Sequence, residues 1–110
     1  MVKIKVKGKD KENWSIWHYG TMISPTEIDV DGVAVPVVAR TMCESTGLSC
    51  KGREVYENDW ISVYGNGEIH KFLVGWGRTD YRAYEDDEVS YNLKNVLDDK
   101  TCKIIGNLYD

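Results

Sequence analysis

Two histidines, three cysteines and four tryptophans are the residues of this 110-residue chain best equipped for chemistry. His18 and His70 could act as general bases, since imidazole titrates near neutrality. Neither has a carboxylate, serine or cysteine at a spacing that marks a dyad, so each reads first as a strand histidine held by a local hydrogen bond. Cys43, Cys50 and Cys102 are odd in number, and Cys43 and Cys50 have six residues between them. A structural zinc site needs four sulfur or nitrogen ligands at close spacing, which this set does not supply. The thiols therefore read as free, small and apolar. A single Cys43–Cys50 bridge is the alternative, and free thiols are the expectation. No Gly-x-Ser-x-Gly elbow, phosphate-binding loop or dinucleotide fingerprint is present. The expectation is a protein with no catalytic residues, no metal and no cofactor.

Lysine supplies a second kind of chemistry. Residues 1–20 hold five lysines against two acids, a net of +3, so the other ninety residues carry −7 of a total of −4. That total argues against a nucleic-acid binder working by bulk charge. Lys3, Lys5 and Lys7 alternate with Val2, Ile4 and Val6, so they share one face of a strand. Two readings are open. The lysines protect an exposed sheet edge from pairing, or they contact phosphates beside Trp14 or Trp17, with rings stacking on bases. Seven tyrosines accompany the four tryptophans, against one phenylalanine. Such rings close a shallow β core or supply interface anchors. Trp17, Tyr64, Trp76, Tyr81 and Tyr84 are the candidate surface rings.

The elements that must position these residues read as about nine short strands. The first runs through the alternating lysines. A second covers Trp14–Tyr19 and ends at Gly20. Asp31-Gly32 joins Glu27–Val30 to Val33–Val38 as a tight hairpin, and Pro36 marks an edge. Arg40–Ser45 is a short extended piece, and Thr46–Arg53 a glycine-bearing turn region. Asn66-Gly67 turns Trp60–Tyr64 into the long run Glu68–Trp76. Gly75 and Gly77 flank Trp76 and suggest a bend. Tyr81–Glu85 pairs back, and Glu85–Glu88 is a solvated acidic loop. Leu93 and Leu97, four apart, allow a short helix within residues 90–99. The fold class is mainly β. No apolar run approaches the ~20 residues of a membrane helix, and lysines break up the start as a signal peptide, so the chain reads as cytoplasmic.

The residues from Arg40 to Ile61 carry a more specific pattern. Thr46-Gly47-Leu48, then Ser49-Cys50-Lys51-Gly52-Arg53, then Val55-Tyr56-Glu57-Asn58-Asp59 and a hydrophobic strand resemble the signature of the YopX-like phage and prophage proteins. Lys7-Gly8-Lys9-Asp10, Trp14 and Tyr19-Gly20 are similar to that family's opening, and Ile105-Gly106-Asn107-Leu108-Tyr109 to its closing strand. Asn58 stands where the family usually has glycine, Ser49-Cys50 replaces a charged pair, and Trp60 an aliphatic residue. The resemblance implies one domain over 1–110, with hairpins in 1–54 and a small barrel or roll similar to Src-homology-3-type barrels in 55–110. It assigns no activity. Thr46, Gly47, Leu48, Gly52, Tyr56, Glu57, Asp59, Gly106 and Asn107 are expected to shape and brace turns. The functional expectation is an accessory protein-interaction module in a bacterial host cytoplasm, with a host or phage protein as partner. Self-association through a strand edge, and single-stranded nucleic-acid binding through the lysine strip, are the alternatives.

Overall fold

The computed structural model describes residues 3–110, so Val2 lies outside the described residues. Among the described residues the chain is mainly β, with antiparallel sheets and one short α-helix. It divides into two compact units, residues 3–45 with Asp110, and Thr46–Tyr109. The division falls inside one strand.

The first unit pairs β1 (Lys5–Lys9), β2 (Trp17–Ser24), β3 (Glu27–Val30) and β4 (Val33–Pro36) in the order β4-β3-β2-β1. A 3-10 turn, Ala39–Thr41, precedes β5 (Cys43–Cys50). Asp31 and Gly32 both take positive φ, 52° and 88°, which the two-residue hairpin between β3 and β4 requires. Pro36 ends β4 on the sheet edge, where its missing N–H costs nothing. Val6, Ile28 and Val37 form the core of this unit.

Two expectations fail here. Gly20 does not end a strand but lies inside β2, paired with Val6. A side chain at this position would place its Cβ 2.0 Å from the Asp29 carbonyl oxygen, so glycine is what lets β3 approach β2. The lysines do not guard an edge. β1 has β2 on one side and β5 on the other, pairing Lys7 with Tyr19 and with Cys43.

The second unit is built on an open five-stranded sheet, β10-β9-β8-β7-β11. Its strands are β7 (Asp59–Gly65), β8 (Glu68–Trp76), β9 (Tyr81–Tyr84), β10 (Ser90–Asn92) and β11 (Lys103–Asn107). β6 (Arg53–Tyr56) pairs with β5. Thr46–Cys50 is strand where the sequence suggests a turn. Gly47 takes φ 75° within it, and Thr46 spans the irregularity. The Thr46 hydroxyl donates to the Val55 carbonyl at 2.7 Å and accepts the Leu48 N–H at 3.1 Å. The turn itself is Lys51-Gly52, with φ of 51° and 84°. Helix α1 (Leu93–Leu97) is capped by the Asn92 side chain, which accepts the Lys94 N–H. Leu93 and Leu97 point into a core with Cys50, Val55, Ile61, Phe72, Val74, Ala83 and Cys102.

A buried polar knot braces this unit. Asp59 is 1% exposed. One of its carboxylate oxygens accepts the Tyr56 N–H at 2.8 Å, and the other accepts the Asn107 side-chain amide at 2.9 Å. Asn107 also donates to the Glu57 carbonyl and accepts the Tyr109 N–H. Asn58 adopts φ 66°, a region asparagine tolerates, and its carbonyl accepts the Leu108 N–H. At Gly106, also at positive φ, the register of β11 against β7 shifts, which brings Asn107 opposite Asp59.

Candidate interaction site

Strand alternation gives the five-stranded sheet two faces. Ile61, Phe72, Val74 and Ala83 face the core. Trp60, Ser62 and Tyr64 on β7, with Ile69, Lys71 and Leu73 on β8, occupy the other face. The Asn66-Gly67 turn, with φ of 52° and 80°, sets Tyr64 directly opposite Ile69. These two side chains are 57% and 67% exposed. They are a paired apolar step that water, not protein, covers.

Three lysines surround this step. Lys51, Lys100 and Lys103, with Ser62 and Thr101, line the same depression of about 430 Å3 as Tyr64 and Ile69. Lys51 comes from the β5–β6 turn. Lys103 pairs with Ser62 across β11 and β7. Lys100 lies in the loop after α1, and Thr101 fixes that loop. The Thr101 hydroxyl accepts the Tyr64 N–H at 2.9 Å and donates to Asp99 at 2.6 Å. The Thr101 N–H also donates to Asp99. These bonds, the hydroxyl's first, hold the Asp99 carboxyl below its ordinary value of 3.8. Among the described residues, no carboxylate stands within ion-pair distance of the three lysines. Lys51 acts on the Asp99 carboxylate only at longer range, and an apolar floor with three lysines around it suits a ligand that presents an apolar side chain beside negative charge.

The sequence-selected residues fall into separate groups. Lys3 and Lys5 are exposed, but Lys7 is only 6% exposed. Its ammonium lies 4.6 Å from the Trp17 ring centroid, and that of Lys9 lies 4.7 Å from it. The Trp17 indole N–H donates to Asp110 at 2.8 Å, and Lys9 reaches the same carboxylate oxygen. The expected strip is thus in part an internal stack, its lysine stems lying along the sheet. Trp76 and Tyr81 pack edge to face with centroids 4.7 Å apart. The Tyr84 hydroxyl donates to the Trp76 carbonyl, and its ring occupies space that a side chain at Gly75 would need. Tyr84 shares the Tyr64 face of the sheet, since it pairs with Leu73.

Both histidines meet carboxylates. His18 Nε2 is 2.8 Å from Asp10, and His70 Nδ1 is 3.9 Å from Glu85. His18, then the Glu12 and Asn13 N–H groups, hold the Asp10 carboxyl below its ordinary value. Neither histidine lines the depression at Tyr64, a second at Tyr91 and Val96, or a third at Lys11 and Val37. Among the described residues no three histidine, cysteine, aspartate or glutamate side chains gather as a metal site. None of their helices is long and apolar enough to cross a membrane.

Lys51, Ile69, Lys100, Thr101 and Lys103 were not singled out by sequence. One signal was there: the dipeptide Cys-Lys occurs twice, at 50–51 and 102–103. No protein-family model, curated protein or solved structure matches the chain.

Proposed function

We propose that this chain is a protein-interaction module that docks an acidic, partly apolar segment of a partner protein in the depression around Tyr64 and Ile69. One observation carries this reading: an exposed tyrosine–isoleucine pair is ringed by three lysines, in a chain whose total charge is −4. Covering one such apolar side chain is worth roughly 1.5–3 kcal/mol before the ordering costs of association. The lysines would contribute mainly to encounter rate and to choice of partner. The role accords with the accessory interaction module expected from the aromatic excess and from the lack of a catalytic motif in the sequence.

Fluorescence anisotropy with a labelled Glu-Glu-Phe-Glu-Glu peptide tests the reading. The native chain is expected to bind it at low ionic strength and to bind Gln-Gln-Phe-Gln-Gln far less. Changing Lys51, Lys100 and Lys103 together to Glu should weaken binding by about tenfold or more, from the sign reversal at three contacts. Lys11→Glu, in the first unit, should leave it unchanged. Equal binding by native and triple-variant protein refutes the site. Tighter binding to oligothymidylate than to the peptide refutes the partner class and favours a nucleic acid.

A further inference from the structure

The core of the second unit contains a pair of groups that docking does not use. Cys50 ends β5 and Cys102 immediately precedes β11. They are 3% and 1% exposed, and their Sγ atoms are in direct contact. They lie 52 positions apart in sequence, so only the fold brings them together. Cys43, the alternative partner for Cys50, is in the first unit. Each thiol adjoins the depression through its own chain neighbours. Lys51 follows Cys50, while Thr101 and Lys103 flank Cys102. The sulfur pair therefore underlies both walls of the lysine-lined site.

We propose that Cys50 and Cys102 form a reversible disulfide that pins the Lys51 turn to the Lys100–Lys103 segment. A low-molecular-weight disulfide such as glutathione disulfide is the oxidant. One cysteine thiolate attacks it, giving a mixed disulfide and one glutathione thiolate. The second cysteine then displaces the other glutathione. Two S–H bonds are lost, one S–S bond forms, and the two electrons and two protons end on two glutathione thiols. Burial, and then the neighbouring Cys102 thiol, push Cys50 up to about 11. In the closed fold the thiolate is scarce, so exchange proceeds when the loop between α1 and β11 opens or while the chain folds. The formed bond is shielded by the same burial. Its effect on docking rests on the proposed function; its formation does not.

The test equilibrates the native chain in glutathione buffers from reducing to oxidising. Free thiols are then alkylated in denaturant, and mass and linked peptides are recorded. The expected oxidised species has lost two hydrogens, has one alkylated thiol, Cys43, and yields a Cys50–Cys102 linked peptide. Cys50→Ala and Cys102→Ala should each abolish that species. Three alkylated thiols under strongly oxidising conditions, or a link through Cys43, overturns the proposal. Anisotropy with Glu-Glu-Phe-Glu-Glu is then read on both redox forms. Pinning the walls should tighten binding by about threefold or more, because less ordering remains to be done. Equal affinity in both forms overturns the pinning while leaving the docking reading intact. A linked peptide without binding in either form overturns the docking reading and supports the disulfide.

Discussion

Replacing Asp59 by alanine should unfold the second unit more readily than any surface change. Its carboxylate is almost fully buried and accepts from the Tyr56 N–H and from the Asn107 amide. Alanine removes two charge-assisted hydrogen bonds and leaves both donors without that acceptor. Each such bond is worth about 1.5–3 kcal/mol. Asn107 keeps the Glu57 carbonyl at 3.3 Å, which softens its share. The expected loss is therefore about 3–5 kcal/mol, a large part of the stability of a small domain. At roughly 4 °C per kcal/mol for this length, the melting midpoint should fall by roughly 12–20 °C. Urea unfolding followed by tryptophan fluorescence and circular dichroism measures it. Asp59→Asn should be intermediate, because its one carbonyl oxygen serves one donor and its amide faces the other. A loss below about 1 kcal/mol for Asp59→Ala would refute the reasoning, since it would mean that the two donors find equal partners elsewhere.

Other substitutions probe the backbone and the loops. Gly20→Ala should cost at least about 2 kcal/mol in urea unfolding, because the new Cβ meets the Asp29 carbonyl and β2 must part from β3. Asn58→Gly should be nearly neutral, whereas Asn58→Val should cost about 1–2 kcal/mol at its φ of 66°. The Asp99 carboxyl is depressed in the folded chain, so its stabilising contribution is complete above the ordinary value of 3.8 and disappears as pH falls through the lower folded value. A carboxyl-carbon NMR titration should place the Asp99 midpoint below 3.8, with the Thr101 amide signal moving in step. Asp10 should behave likewise, its carboxylate holding His18 and the N–H groups of Glu12 and Asn13.

The local signals in the sequence translated well where the physics is local. Asp31-Gly32 and Asn66-Gly67 specify their hairpins because few other residues accept two successive positive φ angles. Leu93 and Leu97 mark one buried helix face. The acidic stretch after β9 is a loop, with Asp86 accepting the Glu88 and Val89 N–H groups. Gly20 and Gly47 misled for one reason: glycine serves a close approach or a strand irregularity as well as a chain end. The position of β1 was not legible, because its pairing with β5 joins Val6 to Glu44 across distant sequence. The lysine-lined depression was hidden in the same way. It draws on a turn at Lys51, a hairpin at Tyr64 and Ile69, and a segment at Lys100–Lys103. The register of β11 against β7 sets Lys103 beside Ser62, and the Cys50–Cys102 contact brings the Lys51 turn to the same segment. The expected Lys3, Lys5 and Lys7 strip changes character at Lys7, whose charge is taken up over Trp17.

The most direct test of the docking account is a residue-resolved NMR titration of the isotope-labelled chain with Glu-Glu-Phe-Glu-Glu. The account predicts saturable amide shifts concentrated at Lys51, Tyr64, Ile69, Thr101 and Lys103, the residues that line one depression. Shifts centred instead on Lys7 and Trp17, or no saturable shifts at any site, would contradict it.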